Sequence, residues 1–182
     1  MQPIKRLFVK RLFCLLLISG CLFPFVGNAL ENERVMTLKT AYLFRFSLFV
    51  EWHQPITEHF VMCVADDKDR ADFIQKNLAG QYLKNQLIKV VLVSKDDDLK
   101  ACRLLYLPKN INNVQDFLIK TEFLDILTFG ESVSFYQQHG MIYLYEQNHK
   151  IKFFINRQTV KKSGLDIRAQ LMTLSQEPSN AD

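Results

Sequence analysis

The sequence predicts a single α/β domain, with a mostly parallel, mixed central sheet flanked by helices and a C-terminal β-hairpin. Three observations predict it. Short apolar runs recur at residues 60–65, 88–93, 102–107 and 125–129, as strands buried on both faces require. Helix-sized segments separate those runs, which is the pattern of βαβ units. Residues 141–145 and 151–155 then face each other across Gln147-Asn148-His149, a hairpin signal.

The elements follow in order. Residues 30–34 are a polar lead-in. Val35, Leu38, Tyr42, Phe46 and Phe49 recur at three- and four-residue steps and predict a helix over 35–52, stopped by Pro55. Its second half, 41–50, is nearly all apolar, broken by Arg45 and Ser47. Phe44, Leu48 and Trp52 form a second stripe offset from the first. If the first stripe is core, the second is either enclosed by neighbouring elements or exposed for a partner. After the strand over 60–65, a helix over 66–78 stops at Gly80. The strand over 88–93 leads into an acidic turn, Asp96, Asp97 and Asp98, and the strand over 102–107 is closed by Pro108. A helix over 114–120, the strand over 125–129 ending at Gly130 and a short helix within 131–139 precede the hairpin. A short helix over 159–163 ends at Gly164, an amphipathic segment covers 168–174, and 176–182 read as a disordered tail. No linker or repeat interrupts residues 35–174.

The first 29 residues read as a secretory signal. Lys5, Arg6, Lys10 and Arg11 precede 15 uncharged positions, Leu12 to Val26, and Gly27-Asn28-Ala29 offers a small-x-small cleavage site. The run is short of the roughly 20 residues of a membrane span and contains Pro24. Ile18-Ser19-Gly20-Cys21 also resembles a lipobox, so a lipid anchor on Cys21 is the alternative to a soluble periplasmic protein. The whole chain has 23 basic and 19 acidic residues. The signal removes the four basic residues just named and no acidic one, so the remainder is formally neutral. Nucleic-acid binding through a basic field thereby loses its only compositional support, and no nucleic-acid partner is expected. The remaining chain of roughly 150 residues suits one domain with a real core.

Of four cysteines, Cys14 and Cys21 lie in the signal. Cys63 and Cys102 are too far apart for a zinc knuckle or a C-x-x-C motif. Disulfides persist outside the cytoplasm, and the first and third strands are neighbours in common doubly wound sheets. A Cys63–Cys102 bridge beneath the opening helix is expected, with two buried free thiols as the alternative. No catalytic centre is legible. The turn after the first strand, Asp66-Asp67-Lys68-Asp69, lacks the glycines of a phosphate loop. The clusters around Asp66 and Asp96 match no calcium-loop spacing and read as helix and turn caps. His53, His59, His139 and His149 are scattered, and no G-x-S-x-G elbow occurs. The chain is expected to be no enzyme and to hold no cofactor or metal.

Three blocks resemble the YfiR family of small periplasmic proteins. They are residues 38–52 (LKTAYLFRFSLFVEW), the frame of Cys63 and residues 101–107 (ACRLLYL), and the C-terminal block of 140–142, 151–156, 163–165 and 170–174. Arg45 and His53 stand where the family has Asn and Pro, and Gln170 replaces a common Lys. No cysteine follows Cys102 to form the second pair that some relatives carry. The resemblance implies a periplasmic repressor that binds the periplasmic part of an inner-membrane diguanylate cyclase and holds down cyclic-di-GMP and biofilm formation. It also implies an OmpA-like outer-membrane lipoprotein that sequesters the repressor; a homodimer is a further candidate assembly. Phe44, Leu48 and Trp52 are then the candidate partner-binding residues. The alternative is a small-ligand sensor using the cleft at the C-terminal edge of the sheet and feeding a different receptor or kinase.

Processing at Ala29 is testable. Mass spectrometry of the periplasmic fraction should find a mature chain beginning at Leu30, whereas a diacylglyceryl Cys21 at the N-terminus would contradict it.

Overall fold

The computed structural model describes residues 26–53, 57–148 and 150–178. The basic start, the apolar run, Cys14, the Cys21 lipobox, Pro55, His149 and the last four tail residues lie outside them. The chain divides into two compact units, residues 1–37 and 38–182. Of the first, residues 26–37 are described and are helical, with Thr37 Oγ1 donating to the Glu33 carbonyl at 2.9 Å.

The first helix, α1 (Val26–Ser47), starts earlier and ends sooner than its apolar periodicity predicts. Its last turn tightens, with Leu48 N–H bonding the Arg45 carbonyl and Phe49 N–H the Phe46 carbonyl. Val50 then leaves the helix for a short strand, β1 (Val50–Glu51), fully buried at Val50. This strand pairs antiparallel with β9 (Asp166–Ile167), an element too short to show in the sequence pattern.

The main sheet has seven strands. In chain order they are β2 (His59–Ala65), β3 (Tyr82–Leu83), β4 (Gln86–Val93), β5 (Leu104–Leu107), β6 (Leu127–Gly130), β7 (Ile142–Gln147) and β8 (Lys150–Ile155). Their spatial order is β3-β4-β2-β5-β6-β7-β8. The five central strands are parallel, and β3 and the hairpin strand β8 are antiparallel edges. A helix follows most strands: α2 (Lys68–Leu78), α3 (Val114–Thr121), α4 (Val133–Gln137), α5 (Arg157–Ser163) and α6 (Ala169–Thr173). Asp67 caps α2, its Oδ1 accepting from Arg70 N–H at 2.9 Å, and Gly164 takes the left-handed conformation that ends α5.

Strand periodicity sorts the core into two faces. Phe60, Met62, Val64, Leu104, Tyr106 and Phe129 pack on one side with Leu43 and Phe46 of α1 and Ile74 of α2. Cys63, Ala65, Leu105 and Leu107 pack on the other with Val114 and Phe117 of α3 and Phe135 of α4. Phe135 is wedged between Gly130 and Gly140, where a Cβ at either position would overlap its ring. The segment read as tail begins bound to the hairpin. Gln176 N–H donates to the Phe153 carbonyl at 2.9 Å, and Ser175 Oγ accepts from Ile155 N–H at 2.8 Å.

Cys63 and Cys102 are joined as a disulfide, with Cα atoms 5.8 Å apart. Cys102 sits in the turn before β5, its N–H bonded to the Leu99 carbonyl, and not in the strand itself. The bridge lies on the α3–α4 face, which corrects its expected place beneath the opening helix. Alternation is the reason: with Met62 and Val64 turned toward α1, Cys63 must point away. Closing a loop of 39 positions contributes about 4 kcal/mol in the chain-entropy relation, and measured bridges commonly give about 2–4. A Cys63→Ala, Cys102→Ala variant should therefore melt roughly 5–15 °C lower yet fold, given about 2–4 °C per kcal/mol at this size. Two alkylatable thiols in protein isolated without reductant would contradict the bridge.

Candidate functional site: a buried charge cluster and the helix it holds

The C-terminal ends of β2, β5 and β6 meet at one buried carboxylate. Glu131 follows Gly130 directly at the end of β6, and its side chain is 3 % exposed. Tyr106 on β5 points to the α1 face and donates its hydroxyl to Glu131 Oε1. Arg70, in the first turn of α2, brings Nη1 within 3.5 Å of the same oxygen and 3.2 Å of the Tyr106 hydroxyl. Lys39 of α1 puts its ammonium 2.6 Å from Glu131 Oε2. Asp67, the α2 cap, lies 3.9 Å from Arg70 Nε.

Two cations, a phenol and two carboxylates thus balance in charge; Asp67 and Arg70 come from the start of α2, and Lys39, Tyr106 and Glu131 each from a different stretch of chain. Burying a lone carboxylate costs several kcal/mol, so Glu131 is stable only if these donors converge on it. Burial first, and then the Glu131 charge, push the Tyr106 hydroxyl well above the ordinary phenol value, partly opposed by Arg70. Tyr106 therefore stays protonated and remains a donor to the carboxylate. The cluster presents no nucleophile beside a base; its chemistry is to fix α1 and α2 on the sheet. Beside it, Asp67, Asp69, Pro108 and Asn110 line an open cleft of about 300 Å³ at the C-terminal edge.

Sequence reasoning missed Lys39, Arg70, Tyr106 and Glu131. The available signals were a tyrosine inside an apolar strand, an acid directly after a strand-ending glycine, and a lysine inside the apolar helix. The acidic residues it did single out have local work: Asp67 caps α2, and Asp97 accepts from Ser94 N–H and hydroxyl across a turn. Among the described residues no group of three or more His, Cys, Asp or Glu is placed to hold a metal ion.

The two stripes of α1 do not separate into one buried and one exposed line. Leu38, a member of the first stripe, is 42 % exposed, while Thr40, Leu43, Phe46, Ser47 and Val50 are buried. Register explains it within the helix: steps 40, 43 and 47, with 46 beside them, follow the side facing the sheet, leaving 38 and 45 outward. Of the candidate partner residues, Leu48 is 41 % exposed. Phe44 is half-buried against the core. Trp52 is held at three points: its Nε1 donates to the Arg103 carbonyl at 3.2 Å, its ring meets Phe60 edge-on, and Lys84 lies over its face.

Glu131→Gln should destabilise the fold by about 3 kcal/mol, because it leaves two partly buried cations facing a neutral amide. Lys39→Met should cost less, since Arg70 and Tyr106 still answer the carboxylate; denaturant unfolding of both variants checks the order. A phenol whose folded value is raised contributes stability that is complete below the unfolded pKa of about 10 and lost as pH rises through the folded value. In an alkaline titration one of the six tyrosines should ionise only on unfolding, and that step should vanish in Tyr106→Phe.

Comparison with known proteins bears on what this frame serves. No curated protein sequence matches the chain closely enough to count as a relative. The YfiR/HmsC-like family profile matches residues 36–176, which takes in α1 from Met36, the whole sheet and the hairpin with its covering segment. The chain belongs to the YfiR/HmsC-like family.

Proposed function

We propose that the protein is a periplasmic negative regulator that binds the periplasmic part of an inner-membrane diguanylate cyclase and lowers cyclic-di-GMP synthesis. Family membership is the observation that carries this reading. The site chemistry agrees with it, because the buried charges are spent on one another and position a helix. Among the described residues no helix is long and apolar enough to cross a membrane, which suits a protein that meets a membrane partner from outside the bilayer.

The contact surface in this reading is the outward side of α1 around Phe44, Leu48 and Trp52. Leu48 is its accessible centre, with Leu38 and Arg45 on the same exposed side. Phe44 and Trp52 contribute their edges and hold the helix end in place. An OmpA-like outer-membrane lipoprotein competing for the same surface would release the cyclase, and a second copy of the chain could occupy it in the resting state. The sensor reading rests on the cleft beside Asp67 and Pro108. A ligand there would sit beside Arg70, one residue from the helix-holding carboxylate.

Deleting the gene should raise cyclic-di-GMP several-fold where the partner cyclase is present. Leu48→Asp should reproduce the deletion with an unchanged melting temperature, since Leu48 is outside the core. Phe44→Asp and Trp52→Asp should also derepress but lose stability. A folded Leu48→Asp protein that still represses and still captures the cyclase's periplasmic domain would refute this surface.

A further inference from the structure

The hairpin end of the sheet carries a second, larger cleft of about 530 Å³, between α4, β8 and the segment that follows α6. Small-molecule sites occupy roughly 300–1,000 Å³. Its apolar wall is aromatic: Tyr136 and Phe154 meet edge-to-face with centroids 5.4 Å apart. Behind Tyr136 lies the nearly buried Tyr143, 5.4 Å away, which stacks in turn on Tyr145. The lining rings are thus braced from behind, which makes them a rigid platform.

The rest of the lining is polar, formed chiefly by Gln137, His139, Asn156, Arg157, Gln158 and Glu177. Much of its hydrogen-bonding capacity is unused. The side chains of Gln137 and Gln158 make no hydrogen bond with a described residue. Asn156 spends its Oδ1 on Thr159 N–H, which leaves its amide donors. Glu177 Oε1 accepts one long contact, 3.4 Å, from the Tyr136 hydroxyl. Arg157 and Glu177 oppose one another in sign, so the cleft has no field that selects an anion or a cation.

We propose that this cleft binds a neutral pyranose oligosaccharide. The C–H face of a pyranose ring packs on the negative face of an aromatic ring through dispersion and quadrupole attraction. Vicinal hydroxyls, each both donor and acceptor, match planar amide, guanidinium and carboxylate groups that offer two-point contacts. An apolar ligand would leave the polar rim unused, and an ion would meet its like charge at Arg157 or Glu177. The site involves neither Glu131 nor the outward side of α1, and it stands whether or not the cyclase reading does.

Calorimetric titration and NMR of the purified, exported chain with chitotetraose and with cellotetraose test it. Saturable binding is expected, with amide shifts confined to residues 136–139, 154–158 and 175–177. Preference for chitotetraose would assign an N-acetylated, cell-wall-type glycan, and equal binding would assign the ring-stacking contact alone; both support the site. Tyr136→Ala should weaken binding about tenfold, the scale of one aromatic contact, and Tyr136→Phe should largely retain it. Gln158→Ala, on an exposed position, should weaken binding a few-fold without moving the melting temperature, and it decides the matter should Tyr136→Ala fail to fold. No saturable shift with either sugar in folded protein, or undiminished binding in Gln158→Ala, overturns the proposal.

Discussion

A carboxylate that cannot reach water dictates its surroundings. Glu131 stands at the end of β6 with almost no exposure, and the fold answers it with an ammonium from α1, a guanidinium from α2 and a phenol from β5. Lys39, Arg70 and Tyr106 are remote in sequence, so only one arrangement of the two helices on the sheet satisfies them together. A buried ion pair is weak evidence for net stability, because an apolar replacement often does as well. Its value here lies in register. If α1 slid or rotated by one residue, Lys39 would leave the carboxylate and the outward side of the helix would change. Gly130 contributes from behind, since it leaves room for the Phe135 ring.

The two faces of the sheet divide the work. The α1–α2 face holds the charge cluster and the helix whose outer side we assign to a partner. The α3–α4 face holds the disulfide. Strand alternation makes this separation unavoidable once Cys63 is in β2, and it favours a structural bridge over one that transmits a redox signal directly to α1. The hairpin end is a third region, where the chain after α6 closes over β8 and leaves an aromatic cleft beside it.

Much of the fold was legible in the residues. Five-residue apolar runs located the parallel strands, the hairpin and its turn were visible, and Cys63 and Cys102 fell on neighbouring elements as the doubly wound order requires. The opening helix was harder, because it is apolar on most sides. With Leu38, Tyr42, Phe44, Phe46 and Leu48 all greasy, periodicity could not say which side faces the sheet, and Leu38, in the same stripe as the buried Phe46, lies outward. The short strands β1, β3 and β9 escaped because two residues carry no period. The charge cluster escaped for a different reason. Each member is an ordinary residue in its own segment, and only the strand order brings them together.

Hydrogen exchange on Glu131→Gln tests the central claim most directly, because it reads each element separately. If Glu131 sets the register of α1 and α2, amides at residues 43–47 of α1 and in the first turn of α2 should lose protection by more than about tenfold, or ~1.4 kcal/mol, beyond any loss in β2, β4 and β5. A uniform loss across helices and sheet, or an α1 as protected as in the unaltered protein, would contradict the account.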